Sequence, residues 1–295
     1  MSDLILRSVM FVPAHDTKLL MKAVRTIADA IIPDIEDSVQ PRSVKPIARK
    51  NIVDLCKKGV FSSKKTFPRI NDDESGLLLE DLNALTVDGI DGFVYPKPRC
   101  KEDIFFIDKL LACLELEKGF PVGKFKLIPL IETSSAVINI DEICVASQRI
   151  VAVAFGCEDF LTDLGGDKGP DLNTLNMPRA LIALAAKSAG VIPIDTVHVN
   201  VHDLIDLETN LTLAKSMGFE GMLVLHPKEL ELVHRYFSPS TEEVEHSHRI
   251  LALAKEAESR DRGVAIISGT FVGPPMIKKA HKIIQRYNAI KRLTV

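Results

Sequence analysis

The segment Ile150-Val151-Ala152-Val153-Ala154-Phe155-Gly156-Cys157-Glu158-Asp159 is an apolar run that stops at a glycine and then two acids. A run without polar alternation suits a strand buried on both faces, the habit of parallel sheets. Seven further runs share this form: Ser8–Ala14, Ala30–Glu36, Thr66–Asn71, Gly92–Lys97, Lys126–Glu132, Ile194–Asn200 and Gly221–His226. Between them lie segments with apolar residues at helical spacing. They are Thr17–Ala28, Glu80–Thr86, Asp103–Leu116, Ala136–Ala146, Met177–Ala189, Leu204–Met217 and Pro227–Tyr236. Strands alternating with helices build βαβ units, so the expected class is α/β and the expected fold a (β/α)8 TIM barrel. An open doubly wound sheet is the competing arrangement.

The pattern changes after Phe237. Ser238-Pro239-Ser240 breaks the chain, and Ser240 with Glu243 forms a capping-box pair. A helix is expected from Thr241 to about Ser259. An apolar stretch, Val264–Val272, precedes Gly273-Pro274-Pro275 and a last helix from Met276 to about Ile290. The division is therefore a barrel over residues 1–237 and a helical extension over residues 238–295. Pro33 is expected to interrupt the second strand.

Composition removes several classes of function. The 295 residues carry 37 Lys+Arg against 40 Asp+Glu, a net charge of −3, which argues against nucleic acid as a partner. No apolar run reaches the roughly 18 residues of a membrane span, and the N-terminus does not read as a signal peptide. The five cysteines form no C-x-x-C pair and are odd in number, which reads as reduced thiols in a cytoplasmic protein.

In a barrel of this kind the active site lies at the C-terminal ends of the strands. The residues standing there are His15, Asp34-Ile35-Glu36-Asp37, Arg69-Ile70-Asn71, Lys97, Glu132, Gly156-Cys157-Glu158-Asp159, Asn200 and His226. Glu132 and Asp159 end adjacent strands, with no His or Cys ligand spacing nearby. Two converging carboxylates suit a hard cation such as Mg²⁺. Arg69 and Lys97 suit an anionic substrate. A ring of salt bridges at the rim explains the same residues, and the Asp34–Asp37 stretch reads as a holder of Arg and Lys side chains. The turn at Gly156, Cys157 and Glu158 offers backbone amides to a carboxylate. His198 and His202 lack the intervening Glu of a zinc motif. Gly165–Gly169 lacks phosphate-loop spacing. Cys157 has no evident base to make it a nucleophile.

In order along the chain, several stretches resemble the HpcH/HpaI aldolase and citrate lyase β-subunit family. They are Arg7–Pro13 with Lys22-Ala23, Asp34–Val39 with Lys45 and Arg49, Arg69–Asn71, Asp91–Lys97, Ile131–Thr133, Phe155–Phe160 and His226-Pro227. The resemblance implies a (β/α)8 barrel assembled as a homotrimer or hexamer. It implies Mg²⁺, with Mn²⁺ as a substitute, on the carboxylates Glu132 and Asp159. It implies Arg69 as the catalytic and substrate-binding arginine. Lys97, Glu36, Asp37, Gly156, Cys157 and Glu158 complete the substrate site, and Arg7, Lys22 and Lys45 meet the thioester's phosphates or join the rim network.

The implied reaction is reversible carbon–carbon cleavage of a 3-hydroxyacyl thioester, such as citryl-, malyl- or citramalyl-CoA. The products are acetyl-CoA or a relative and a 2-oxo acid. The thioester is carried by CoA or by an acyl carrier. The alternatives are an aldolase on free 2-oxo acids, or a metal- and dicarboxylate-binding homologue with weakened catalysis. One departure stands out. The family's extension carries an Asp thought to transfer a proton as it covers a neighbouring subunit's site. Gly273 stands in its place, and Asp261 lies upstream.

Overall fold

The computed structural model describes residues 4–169, 173–258, 265–267 and 270–293. Eight strands form one sheet: β1 Ser8–Pro13, β2 Ala30–Asp34, β3 Lys65–Thr66, β4 Gly92–Pro96, β5 Lys126–Ile131, β6 Ala152–Phe155, β7 Ile192–Asp195 and β8 Gly221–Val224. Their order is β3-β2-β1-β8-β7-β6-β5-β4, and every pairing in it is parallel. The two edges of that order meet. Arg69 bridges Asp34 on one side and Val94 on the other, and the amides of Ile70 and Val94 bond to Val94 and Pro68 carbonyls at 3.2 and 3.0 Å. The sheet is thus a closed (β/α)8 barrel, which leaves no sheet edge to protect.

The third strand is short because Pro68 supplies no N–H to the ladder. Pro33, by contrast, does not interrupt β2: it pairs with Val12, and its carbonyl accepts the Arg69 amide at 3.1 Å. A proline fits a strand where the ladder draws only on its carbonyl. The seventh strand lies earlier than the sequence suggests. It ends at Asp195, not Asn200, because the apolar run already starts at Ile192 after the helix stop at Gly190.

Helices follow the strands: α1 Thr17–Val24, α2 Lys45–Lys57, α3 Leu78–Leu85, α4 Lys101–Glu117, α5 Ser134–Ile138, α6 Ile140–Val145, α7 Cys157–Leu164, α8 Asn173–Ala189, α9 Leu204–Met217 and α10 Leu230–Phe237. The caps explain several boundaries. Asp16 accepts the Lys18 and Leu19 amides at the start of α1, and Asp203 accepts those of Ile205 and Asp206 at the start of α9. α9 ends at Gly218, whose φ of +97° is costly for any residue with a Cβ. α2 has no counterpart in the apolar pattern because its buried face carries Lys45 and Arg49 beside Ala48, Ile52 and Leu55.

The described residues divide into two compact units. One is the barrel, Leu6–Val233; the other takes the chain from His234 onward, with Leu4 and Ile5. The second unit holds α11 Thr241–Glu258, an antiparallel pair of β9 Ala265–Ile267 and β10 Thr270–Val272, and α12 Pro274–Leu293. The β9–β10 pair lies in the stretch 264–272, where the sequence shows only an apolar run. Within this unit Arg286 donates to the Phe237 carbonyl at 3.1 Å, and Ile250 and Ala280 form a small core. No helix among the described residues is long and apolar enough to cross a membrane.

Candidate active site

The strand ends at the barrel mouth bring five carboxylates around two cations. Arg69 is the hub. Its Nε and Nη2 each donate to an oxygen of Asp34 at 2.7 Å, and its Nη1 meets Glu36 Oε2 at 2.8 Å and Asp37 Oδ2 at 3.5 Å. The guanidinium lies over the Phe11 ring, 4.9 Å from its centroid. Glu36 then joins Arg69 to Lys97, whose Nζ donates to Glu36 Oε1 at 3.0 Å and lies 3.6 Å from Asp159 Oδ1. Lys97 reaches this place from a left-handed backbone with φ +53°, a conformation seldom adopted by a residue with a side chain.

Glu132, directly after β5, stands in the middle of this set. It is 2% exposed, and its buried Oε2 has no hydrogen-bond partner among the described residues. Burial pushes its pKa well above the carboxylate range. Arg69 opposes that shift, while Asp159 and Glu36 add to it. Glu36 is also raised, by burial first, against the pull of Arg69. For Asp34, burial is outweighed by the charge and hydrogen bonds of Arg69, so its pKa falls. For Lys97, burial opposes the charge, and Glu36, Glu132 and Asp159 outweigh it, so its pKa rises.

A divalent cation suits this donor set. Five carboxylates stand against two cations, and the raised pKa and unpartnered oxygen of Glu132 mark a place short of positive charge. The described residues contain no cluster of three His, Cys, Asp or Glu able to hold a metal. One or two carboxylates, with waters and substrate oxygens filling the octahedron, are the usual protein donors to Mg²⁺, and Glu132 and Asp159 are of that type.

The turn after β6 completes the mouth. Gly156 caps α7, and a Cβ there would come within 2.5 Å of Glu132 Cγ. Glu158 and Asp159 occupy the helix's first turn, where backbone amides have no acceptor within the helix. The Cys157 amide donates to Thr196 Oγ1 at 3.1 Å, and Glu158 pairs with Lys168 at 2.6 Å. The Cys157 thiol is buried, and burial pushes it up to about 12, with its Sγ 3.4 Å from Glu158 Oε1, which favours the thiol over the nucleophilic thiolate.

Other residues singled out from the sequence stand elsewhere. Arg7 lies at the N-terminal start of β1, the opposite end of the barrel, and its Nε and Nη2 hold Asp29 at 2.9 and 2.7 Å. A thioester at the mouth is out of its reach. Lys45 is buried. Its Nζ donates to the Ile35 and Glu36 carbonyls at 3.1 and 2.9 Å and to Asn71 Oδ1 at 2.5 Å. Three donors and three acceptors leave it nothing for a phosphate. Lys22 is exposed in the last turn of α1, outside the cluster. Asp37 is half exposed and is the most distant of Arg69's partners. His198 binds the Asp203 carbonyl, and His226 caps the turn at Pro227–Glu229. Gly273 accepts the Met276 and Ile277 amides before α12. Asp261 lies outside the described residues.

Sequence reasoning passed over Asp195 and Thr196 because it set the seventh strand's end too late. The signal was a buried-type run, Ile192-Pro193-Ile194, ending in an acid.

Fold and site together define a (β/α)8-barrel protein whose mouth gathers carboxylates around an arginine and a lysine. The chain belongs to the HpcH/HpaI aldolase/citrate lyase family, whose model matches residues 7–227. It is 30% identical to the citrate lyase subunit beta of Haemophilus influenzae over 282 residues, covering 95% of this chain and 96% of that one. It is 27% identical to the L-malyl-CoA/beta-methylmalyl-CoA lyase of Rhodobacter capsulatus, covering 97% and 95%. Among solved structures it resembles CitE from Mycobacterium tuberculosis in complex with magnesium and pyruvate. That match has a TM-score of 0.65 and 25% identity, covering 80% of this chain and 93% of that one. By family and relatives the protein is a carbon–carbon lyase.

Proposed function

We propose that this lyase cleaves, or in reverse forms, a 3-hydroxyacyl-CoA thioester of the malyl, citramalyl or citryl type, with Mg²⁺ on Glu132 and Asp159. The products are acetyl-CoA or a relative and a 2-oxo acid. The observation that carries the reading is the buried, unpartnered Oε2 of Glu132, raised in basicity and set among Arg69, Lys97 and Asp159. The lyase named for malyl-CoA and the magnesium–pyruvate complex of CitE support the substrate class and the metal.

When bound, the ion supplies a Lewis acid and a template for the oxygens of the oxo acid. The residues do the rest. Arg69 spends three N–H groups on Asp34 and Glu36, and a guanidinium carries five, so it keeps donors for charge gathering on the reacting oxygen. Lys97, held by Glu36, neutralises the oxo-acid carboxylate. The first-turn amides of α7 at Glu158 and Asp159 orient it. With Arg7 and Lys45 engaged by their own partners, exposed Lys22 is the cation that meets the thioester's phosphates. Gly273 brings no side chain to proton transfer.

The five free thiols support a reducing, cytoplasmic setting. Exposed apolar residues on α5, α6 and α8, Ile138, Val145, Met177 and Leu184, support self-association as a homotrimer or hexamer. In that assembly residues 238–295 act as the cover of a neighbouring mouth. Light scattering of the purified chain checks the oligomer, and a monomer would remove it.

The test of function is a panel of malyl-, citramalyl- and citryl-CoA beside the free hydroxy acids, each with Mg²⁺ and with chelator. Cleavage is expected only with CoA and metal, and lost by at least about 10²-fold in Glu132→Ala and Asp159→Ala. Equal turnover of free acids would make the protein an aldolase on 2-oxo acids. Oxo-acid binding without any turnover would make it a binding homologue.

A further inference from the structure

Glu132 directly follows β5, but Asp159 sits on α7, and a metal held by both depends on where that helix begins. We propose that Thr196 is a positioning residue for this pair: its Oγ1 accepts the amide of Cys157, the first residue of α7, and so fixes the turn that carries Asp159 against Glu132. The inference rests on the metal reading above.

Three observations support it. Thr196 is 8% exposed and follows β7 directly, and the register Ala154↔Ile194 sets the ends of β6 and β7 side by side. The residue before it, Asp195, is clamped by Arg179 of α8. Both are 1% exposed, and Arg179 Nε donates to Asp195 Oδ1 at 3.1 Å. A buried, two-point ion pair is a rigid anchor, so the hydroxyl of Thr196 is held at a fixed place. Finally, the turn itself has little slack on its other side, because Gly156 packs against Glu132 so closely that no Cβ fits. Without the Thr196 acceptor the Cys157 amide is left buried and unpaired, and it regains a partner only if the turn moves. Partners one shell beyond a metal's ligands typically change metal affinity by about 10–100-fold when removed.

The experiment is a titration of the full-length protein with Mn²⁺ alone, followed by electron paramagnetic resonance of the free ion. Thr196→Val keeps the shape and removes the acceptor; Thr196→Ser restores it. The expected result is a Kd about 10–100-fold weaker in Thr196→Val and near that of the wild type in Thr196→Ser, with metal-free thermal midpoints close together. Thr86→Val removes another buried hydroxyl, one bonded to the Leu82 carbonyl on α3, and is expected to leave Kd unchanged. Should Val prevent folding, Thr196→Ala carries the same comparison. An unchanged Kd in the folded Thr196 variant overturns the inference, as does equal weakening by Thr86→Val. A wild type that does not bind Mn²⁺, or a Glu132→Gln variant that binds it equally well, overturns the metal reading itself and this inference with it.

Discussion

Gly156→Ala is the smallest change that reaches the site through geometry alone. Gly156 has φ −106° and ψ 90°, a conformation alanine adopts freely, so backbone strain contributes nothing. The added Cβ, however, would stand 2.5 Å from Glu132 Cγ, 2.7 Å from Oε1 and 3.0 Å from Cδ. Carbon atoms prefer about 3.5–4.0 Å, so the Glu132 side chain must retreat by about 1 Å or the α7 turn must lift by as much. Overpacking of this kind costs about 1–3 kcal/mol of stability. A displacement of about 1 Å in a reacting array costs about 10²-fold in rate. The expected outcome is a folded protein with kcat/KM lowered about 10²-fold on its CoA thioester, most of the loss in kcat, and weaker binding of Mn²⁺. Steady-state kinetics and urea unfolding measure the two effects separately. Gly166→Ala, where the nearest side-chain atom is an ordinary contact at 3.4 Å, is the matched control. A Gly156→Ala enzyme within twofold of the wild type in both kcat/KM and Mn²⁺ affinity would refute the placement of Glu132 at the reacting centre.

Further outcomes follow from the charges. In metal-free protein, Glu132→Gln is expected to raise the thermal midpoint by a few degrees, since about 1 kcal/mol is about 2–4 °C at this size, while abolishing stabilisation by Mg²⁺. A lower midpoint in the variant would mean that the buried carboxylate is satisfied. Asp34→Asn leaves Arg69 buried without its bidentate partner and is expected to cost about 3–5 kcal/mol in urea unfolding at neutral pH. Asp34 has a depressed pKa, so its stabilisation is present above the ordinary carboxylate range and is lost as pH falls through its folded value. The gap between variant and wild type should therefore close on acidification, and a gap that widens would contradict the assignment. Cys157, with its thiol pushed up to about 12, should resist a thiol reagent at pH 8 until the protein unfolds, while exposed Cys113 reacts at once. Mass mapping of the labelled peptides decides this. Cys157→Ala should stay active, and loss of turnover without loss of folding would restore a chemical role to the thiol.

The barrel could be read from the chain because its strands are buried on both faces and so carry unbroken apolar runs with polar residues at one end. Arg69, Glu132 and Asp159 were visible for the same reason: in a parallel barrel, strand ends converge. α2 was hidden because Lys45 and Arg49 face inward with full sets of partners, which an apolar pattern cannot register. The two roles open to Lys45, phosphate contact or the rim network, could not be separated on the same ground, since a buried lysine bonded to two carbonyls and an amide looks, in sequence, like any free cation. Arg7 could not be assigned to the thioester's phosphates or to the rim network from sequence, because its partner Asp29 lies 22 residues away and comes to it only in the fold. Asp195 and Thr196 escaped through a shift in one strand boundary.

The sequence by itself determined the alternation of strand and helix, the family, and the residue types at the strand ends, since these follow from local burial and chemistry. Only the tertiary structure decided how charge is shared. It gave Arg69 to Asp34, set Glu36 between Arg69 and Lys97, and left one oxygen of Glu132 without a partner. Those outcomes depend on distances between residues far apart in the chain, and electrostatic energy at short range varies too steeply with distance for spacing along the sequence to predict it.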